Sequence, residues 1–317
     1  MARPSPSPAL RPPAAGIPTP SDRSTLTLLF TTLRPEQWTK NVIVFAPALF
    51  GGRLFDANAL GLALATFFIF CALSGAVYVF NDLADRDADQ RHPLKRSRPI
   101  ASGELRPAHA VVLGILLGLG GVASALWVAP AVGLVAAAYL ALLLAYSTAL
   151  KHLVIVDALT IAVGFVLRAV AGGLAVAVPV SQWLLVCTSL LALFLAFSKR
   201  RHELTLLADA AGDHRRILHE YSPYLLDQMI AVVTASTVIA YSVYATSGET
   251  AQRLGTTRLG LTIPFVLYGI FRYLYLVHQK RGGGSPTAML VTDGPLLACV
   301  ALWAMAVAVI LYSPLGQ

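Results

Sequence analysis

Between Asn81 and Arg106 the chain reads NDLADRDADQRHPLKRSRPIASGELR, with acids in its first half and bases in its second. Asn81, Asp82, Asp85 and Asp89 recur at steps of three and four. On a helix such positions share one face, because a step of four advances only about 40°. Asp87 falls elsewhere and is expected to be solvated. Carboxylates stacked on one face repel each other unless a cation joins them. Hard oxygen donors with an amide alongside suit Mg²⁺, which is commonly held by few carboxylates together with substrate phosphates. The basic half supplies groups for those phosphates: Arg91, Lys95, Arg96 and Arg98, with Arg as a bidentate fork and Lys as a point charge. The competing explanation is a solvated loop whose acids pair with Arg86 and Arg91 and whose bases serve topology alone.

A second polar stretch, residues 199–227, opens Lys199-Arg200-Arg201-His202-Glu203 and closes HEYSPYLLDQ. Further polar groups stand at the ends of apolar runs: Arg34, Lys40 and Asn41 around Trp38, and Tyr146 and Lys151 in YSTALKH. Asp157 and Arg168 lie inside one apolar run, about three turns apart and on one face. Ionisable groups there are costly and are paired or functional. Arg272 lies near the end of its run, where it snorkels or meets a phosphate.

The elements that position these groups follow from composition. The 317 residues are 56% hydrophobic and 13% charged, against roughly 25% charge in soluble domains. Several runs reach the roughly 20 apolar residues that cross a bilayer as helix. Spanning strands would have to close into a barrel, and no series of short alternating segments is present. The fold class is therefore all-α and polytopic, with nine transmembrane helices predicted at about 36–50, 59–80, 108–127, 131–148, 153–176, 181–198, 228–246, 259–278 and 292–312. Residues 1–23, rich in Pro and Ser, read as a disordered cytosolic tail and not as a signal peptide. Residues 24–317 form one membrane domain.

The net charge of +8 sits in loops beside spans, so it implies topology, anionic headgroups or a phosphorylated substrate, and no nucleic acid. All but five of the 24 Lys and Arg fall on the side of the two polar loops. That places both loops in the cytosol, in a multi-pass protein of the cytoplasmic (inner) membrane. Cys71, Cys187 and Cys299 each lie in an apolar run and read as small core residues. Gly114, Gly118, Gly172 and Gly173 read as helix-packing positions. Tyr273 and Tyr275 read as interfacial aromatics, and the histidines, His214 and His219 among them, as solvated.

The pattern N-D-x-x-D-x-x-x-D at Asn81, Asp82, Asp85 and Asp89, followed by HPLKRSRPIASGEL, resembles the first motif of the UbiA superfamily of intramembrane prenyltransferases. Its place after the second span and the second polar loop after the sixth agree. Prenyl-diphosphate enzymes of that superfamily usually carry D-x-x-x-D after the sixth span, where this chain has KRRHE. That departure, with RPEQWTKNVIVFAPALF, YSTALKH and VLRAVAGGLAVAVPVSQW (ending Gln182-Trp183), is similar to the decaprenyl-phosphate phosphoribosyltransferase branch. The resemblance implies 5-phosphoribosyl 1-diphosphate as donor, a polyprenyl phosphate as acceptor, Mg²⁺ as cofactor and a product used for cell-wall arabinose donors. The implied site joins Asn81, Asp82, Asp85 and Asp89 on metal with Arg34, Lys40, Asn41, Arg91, Lys95, Arg96, Arg98, Tyr146, Lys151, Arg168, Gln182, Lys199, Arg200 and Glu203 on substrate. A prenyltransferase with an aromatic acceptor and a membrane transporter are the alternatives. The sequence leaves a homo-oligomer open.

Overall fold

Apolar runs broken by short polar turns produce antiparallel helices whose backbone groups are satisfied within each segment, as a bilayer requires. The computed structural model describes residues 23–91, 95–208, 220–280 and 284–313, so the 1–22 stretch, His214 and His219 lie outside it. In chain order the helices are α1 (Thr25–Thr32), α2 (Ala46–Phe50), α3 (Ala57–Ala84), α4 (Arg86–Arg91), α5 (Pro107–Val128), α6 (Pro130–Thr148) and α7 (Val156–Ala175). They continue with α8 (Gln182–Ala208), α9 (Pro223–Thr246), α10 (Gly248–Leu254), α11 (Ile263–Gln279), α12 (Pro286–Thr292) and α13 (Gly294–Tyr312). Short 3-10 stretches cover Pro35–Phe45, Leu150–His152 and Arg258–Thr262. Eight helices among the described residues are long and apolar enough to cross a membrane, and the protein is an integral multi-pass one.

The first predicted span is the exception. It is not one α-helix but eleven residues of 3-10 helix followed by the five of α2. At about 2.0 and 1.5 Å per residue this covers roughly 30 Å, the thickness of a hydrocarbon core. Its ends show where it goes. Arg34 meets Asp82 on the last turn of α3. At the other end Arg53 Nη1 donates to the carbonyl of Val176, just past α7, at 3.1 Å. The Tyr312 hydroxyl, at the end of α13, donates to the carbonyls of Ala48 and Leu49 at 3.2 and 2.8 Å. Because α3 and α7 run in opposite directions, the segment traverses the bundle from the charged-loop face to the opposite face.

Small residues permit this irregular strand of chain to sit close. A Cβ on Gly172 would collide with the backbone carbonyl of Val44, and one on Gly173 with the Val180 side chain. A Cβ on Gly114 would likewise stand 3.0 Å from the ring edge of Phe80. A core of Phe194, Phe197, Leu226, Ile230 and Val277 ties α8, α9 and α11 together. Tyr273, expected at the interface, belongs to that core instead, with its ring 5.1 Å from Phe194. Helical periodicity turns it inward, whereas Tyr275, two positions on, stays exposed beneath Arg272. All three cysteines are free thiols.

Gly172→Ala is expected to cost about 1–3 kcal/mol through overpacking against backbone that cannot yield. Thermal unfolding of the purified variant in detergent measures it, and an unchanged midpoint would show that the first crossing is not held against α7.

Candidate active site

The last turn of α3 delivers the acids. Asp85 caps α3, its N–H bonding the carbonyl of Asn81, and the Asp89 N–H bonds the carbonyl of Asp85 at 2.8 Å, so α4 continues nearly in line. Asp82 and Asp89, two turns apart, are both buried at 3% exposure, Asp85 lies between them partly open, and Asp87 is exposed as expected. Residues 95–106 fold back over them. Ile100 and Leu105 insert against Val79 and Ala110, which anchors the loop by apolar contact and places Arg98 over the acids.

Arg98 Nη1 lies 3.0 Å from Asp82 Oδ1 and 2.6 Å from Asp89 Oδ2. Arg34 Nη2 adds a second cation to Asp82 at 2.5 Å, with its guanidinium 5.0 Å above the Tyr78 ring. Lys95 stands 3.9 Å from Asp89, and Lys151 holds Asp85 at 2.9 Å. The acids are thus paired, but among the described residues not with Arg86 and Arg91: Arg91 Nε donates to the carbonyl of Asp87. Two carboxylates converging on one cationic nitrogen form a donor set that fits a divalent cation completed by phosphate oxygens and water. No group of three or more His, Cys, Asp or Glu stands ready for a metal among the described residues.

The second cluster sits at the loop end of α8. Arg200 Nε bonds Asp157 Oδ2 at 2.8 Å, its Nη1 bonds Glu203 at 2.7 Å and its Nη2 bonds the Tyr146 hydroxyl at 3.2 Å. Asp157 is fully buried and Arg200 nearly so. A buried ion pair persists only when its remaining polar atoms are also bonded; here Tyr221 donates to Asp157 Oδ1 at 2.9 Å. Burial pushes the Tyr221 phenol up to about 12, so it keeps its proton. Lys199, on the exposed side of α8, lies 3.9 Å from Glu203.

A third network lies deeper. Arg168 donates to Asn41 Oδ1 and the Tyr139 hydroxyl, both at 2.6 Å, and to the carbonyl of Gly164 at 3.0 Å. Asn41 and Arg168, expected on substrate, are therefore spent on each other and on the packing of the first crossing against α7. Lys40 has no carboxylate partner among the described residues. Arg91 and Arg96 are exposed on the loop face. Gln182 is corrected: it begins α8, about 26 Å along the helix from Lys199, at the opposite face of the bundle. Arg272 is a fork onto Asp293, at 3.1 and 2.8 Å, which holds that carboxyl below its usual range. Tyr221, Tyr139, Ser74 and Tyr78 escaped sequence reasoning, because an aromatic or serine at helical spacing carries no signal of its polar partner.

Arg200→Met would strand a buried carboxylate and is expected to cost roughly 3–5 kcal/mol. A second change, Asp157→Asn, should recover much of that loss. Thermal unfolding of the two variants tests this; a single variant as stable as the parent would remove the pair from the scaffold.

Comparison with known proteins agrees with this fold. A sequence profile of the UbiA prenyltransferase family matches residues 42–291. A decaprenyl-phosphate phosphoribosyltransferase from Mycolicibacterium smegmatis is 34% identical over 77% of this chain and 77% of its own length. Its namesake from Mycobacterium tuberculosis is 33% identical over 86% of this chain and 90% of its own. Among solved structures, a UbiA homolog from Archaeoglobus fulgidus bound to GPP and Mg²⁺ superposes with a TM-score of 0.67 at 18% identity, covering 89% of this chain and 99% of that one. The helical bundle thus has its counterpart in a known membrane fold, and the sequence match carries the rest: this chain is an enzyme that belongs to the UbiA prenyltransferase family.

Proposed function

We propose that the enzyme transfers a 5-phosphoribosyl group from 5-phosphoribosyl 1-diphosphate to a polyprenyl phosphate of decaprenyl type, releasing diphosphate. The observation that carries this reading is the loop end of α8. Where a second carboxylate cluster would bind a second metal, the chain has Lys199, and Arg200 paired to Asp157. One acidic cluster suits one metal on a diphosphate, and an added cationic cluster suits a donor with a separate 5-phosphate. The relatives' names support the same donor and acceptor pair.

Asn81, Asp82, Asp85 and Asp89 would hold Mg²⁺, which when bound neutralises charge growing on the departing diphosphate. Arg98, Arg34 and Lys95 already stand at those carboxylates and provide guanidinium and ammonium donors for diphosphate oxygens. Lys40, Lys151, Lys199 and Arg96 supply cations for the 5-phosphate and the acceptor phosphate. An oxygen of the acceptor phosphate attacks C1 of the ribose as the bond from C1 to the diphosphate oxygen breaks. The acceptor is already anionic, so no strong general base is needed, and preorganised cations do most of the work. The isoprenoid tail lies among the helices on the lipid side. The site faces the cytosol from the cytoplasmic membrane, as the Lys and Arg distribution implies, and the product is a precursor of cell-wall arabinose donors.

Purified enzyme with Mg²⁺, labelled phosphoribosyl diphosphate and polyprenyl phosphate should form lipid-linked phosphoribose. Consumption of a prenyl diphosphate with an aromatic acceptor, and no phosphoribosyl lipid, would overturn the reading. Calorimetry gives a readout apart from turnover. Asp82→Asn and Asp89→Asn should each weaken Mg²⁺-dependent donor binding by about tenfold or more, the size of one lost charge-assisted contact. Lys199→Ala should weaken donor binding without changing its metal dependence; equal loss with and without metal in the Asp variants would remove them from the metal site.

A further inference from the structure

The second charged connection and the short 149–155 connection meet at one buried hydroxyl. Tyr221 ends the second connection, immediately before the cap of α9, and is 4% exposed. Its oxygen accepts the Ile155 amide N–H at 2.7 Å, and its proton goes to Asp157 Oδ1 at 2.9 Å. The direction is determined, since the amide only donates and the carboxylate only accepts. From Asp157 the chain of contacts continues through Arg200 to Glu203 and Tyr146, and from Glu203 to Lys199.

Ile155 shows why that hydroxyl matters. Its backbone has φ 68° and ψ −43°, and the Val156 N–H bonds the carbonyl of Val154 at 2.8 Å. This is a γ-turn of the rare positive-φ form, strained for any side chain and most of all for a β-branched one. Such backbone persists only where its surroundings over-determine it. The turn lies four residues after Lys151, whose ammonium holds Asp85. One end of this short connection is therefore tied to the acidic motif, and the other to Tyr221.

We propose that Tyr221 is a positioning residue for the transfer reaction: its hydroxyl clamps the strained Ile155 turn to the Asp157–Arg200 pair and so keeps Lys151 on Asp85 in register with Lys199. Tyr221 is too buried to touch substrate. The identity of the donor rests on the function proposed above; the clamp itself applies to any diphosphate bound by the same carboxylates.

Tyr221→Phe removes the hydroxyl and keeps the ring. The expected result is a donor KM raised about tenfold with kcat within about twofold, the pattern of lost binding in register. Glycine adopts positive φ without penalty. Adding Ile155→Gly should therefore bring KM back to within about threefold of the parent. A fall in kcat matching the loss of folded protein, with KM unchanged, would reduce Tyr221 to packing and overturn the proposal, as would unchanged constants. A fluorinated tyrosine at position 221 gives a second test that keeps the fold. Its phenol ionises at much lower pH and then no longer donates to Asp157, so donor KM should rise with pH where the parent's stays flat; a flat profile again overturns the clamp. All arms use whichever diphosphate donor the parent enzyme consumes. A wrong donor assignment shows in the parent, and a wrong clamp only in the variants.

Discussion

Buried carboxylates at the rim of a membrane bundle have to be matched by cations, and the arrangement of the whole loop face follows from that constraint. Asp82 and Asp89 are almost wholly withdrawn from water, where an unpaired charge is prohibitively costly. Arg98 answers both with one nitrogen, and Arg34 answers Asp82 from the entrance of the first crossing. The partners come from distant parts of the chain. The pairing therefore fastens the start of the chain and the folded-back 95–106 loop onto the end of α3.

The deeper networks obey the constraint differently. Arg168 meets Asn41, Tyr139, Ser74 and a helix carbonyl rather than an acid. Its guanidinium also stacks 4.7 Å from the Tyr139 ring. Neutral oxygens and π faces solvate it within the bundle, and in doing so pin the irregular first crossing to α7. That crossing depends on close approach at Gly172 and Gly173 and on the Tyr312 hydroxyl, which donates to the carbonyls of Ala48 and Leu49 in the last turn of α2. Scaffold and site are thus built from the same polar groups, and Arg200 belongs to the scaffold as firmly as Lys199 belongs to the exposed surface.

Much of this was legible from residue order alone. Apolar run length determined the helical class and the multi-pass architecture, because a bilayer admits few backbone solutions. Spacing of three and four put Asp82, Asp85 and Asp89 on one side of a helix, and the exposure of Asp87 follows from the same periodicity. What periodicity does not carry is which distant group meets which. Arg98 and Arg34 on Asp82, Lys151 on Asp85 and Tyr221 on Asp157 are contacts between elements 16 to 66 residues apart, chosen by packing. Gln182 shows the converse: it is near Trp183 in sequence, but α8 carries it to the far face. Only the tertiary structure decided that the first crossing is a 3-10 segment, that Tyr273 turns inward, and that the basic end of α8 divides into a buried strut and an exposed cation. The physical reason is common to all three: each depends on the desolvation and close approach of neighbours that local sequence does not name.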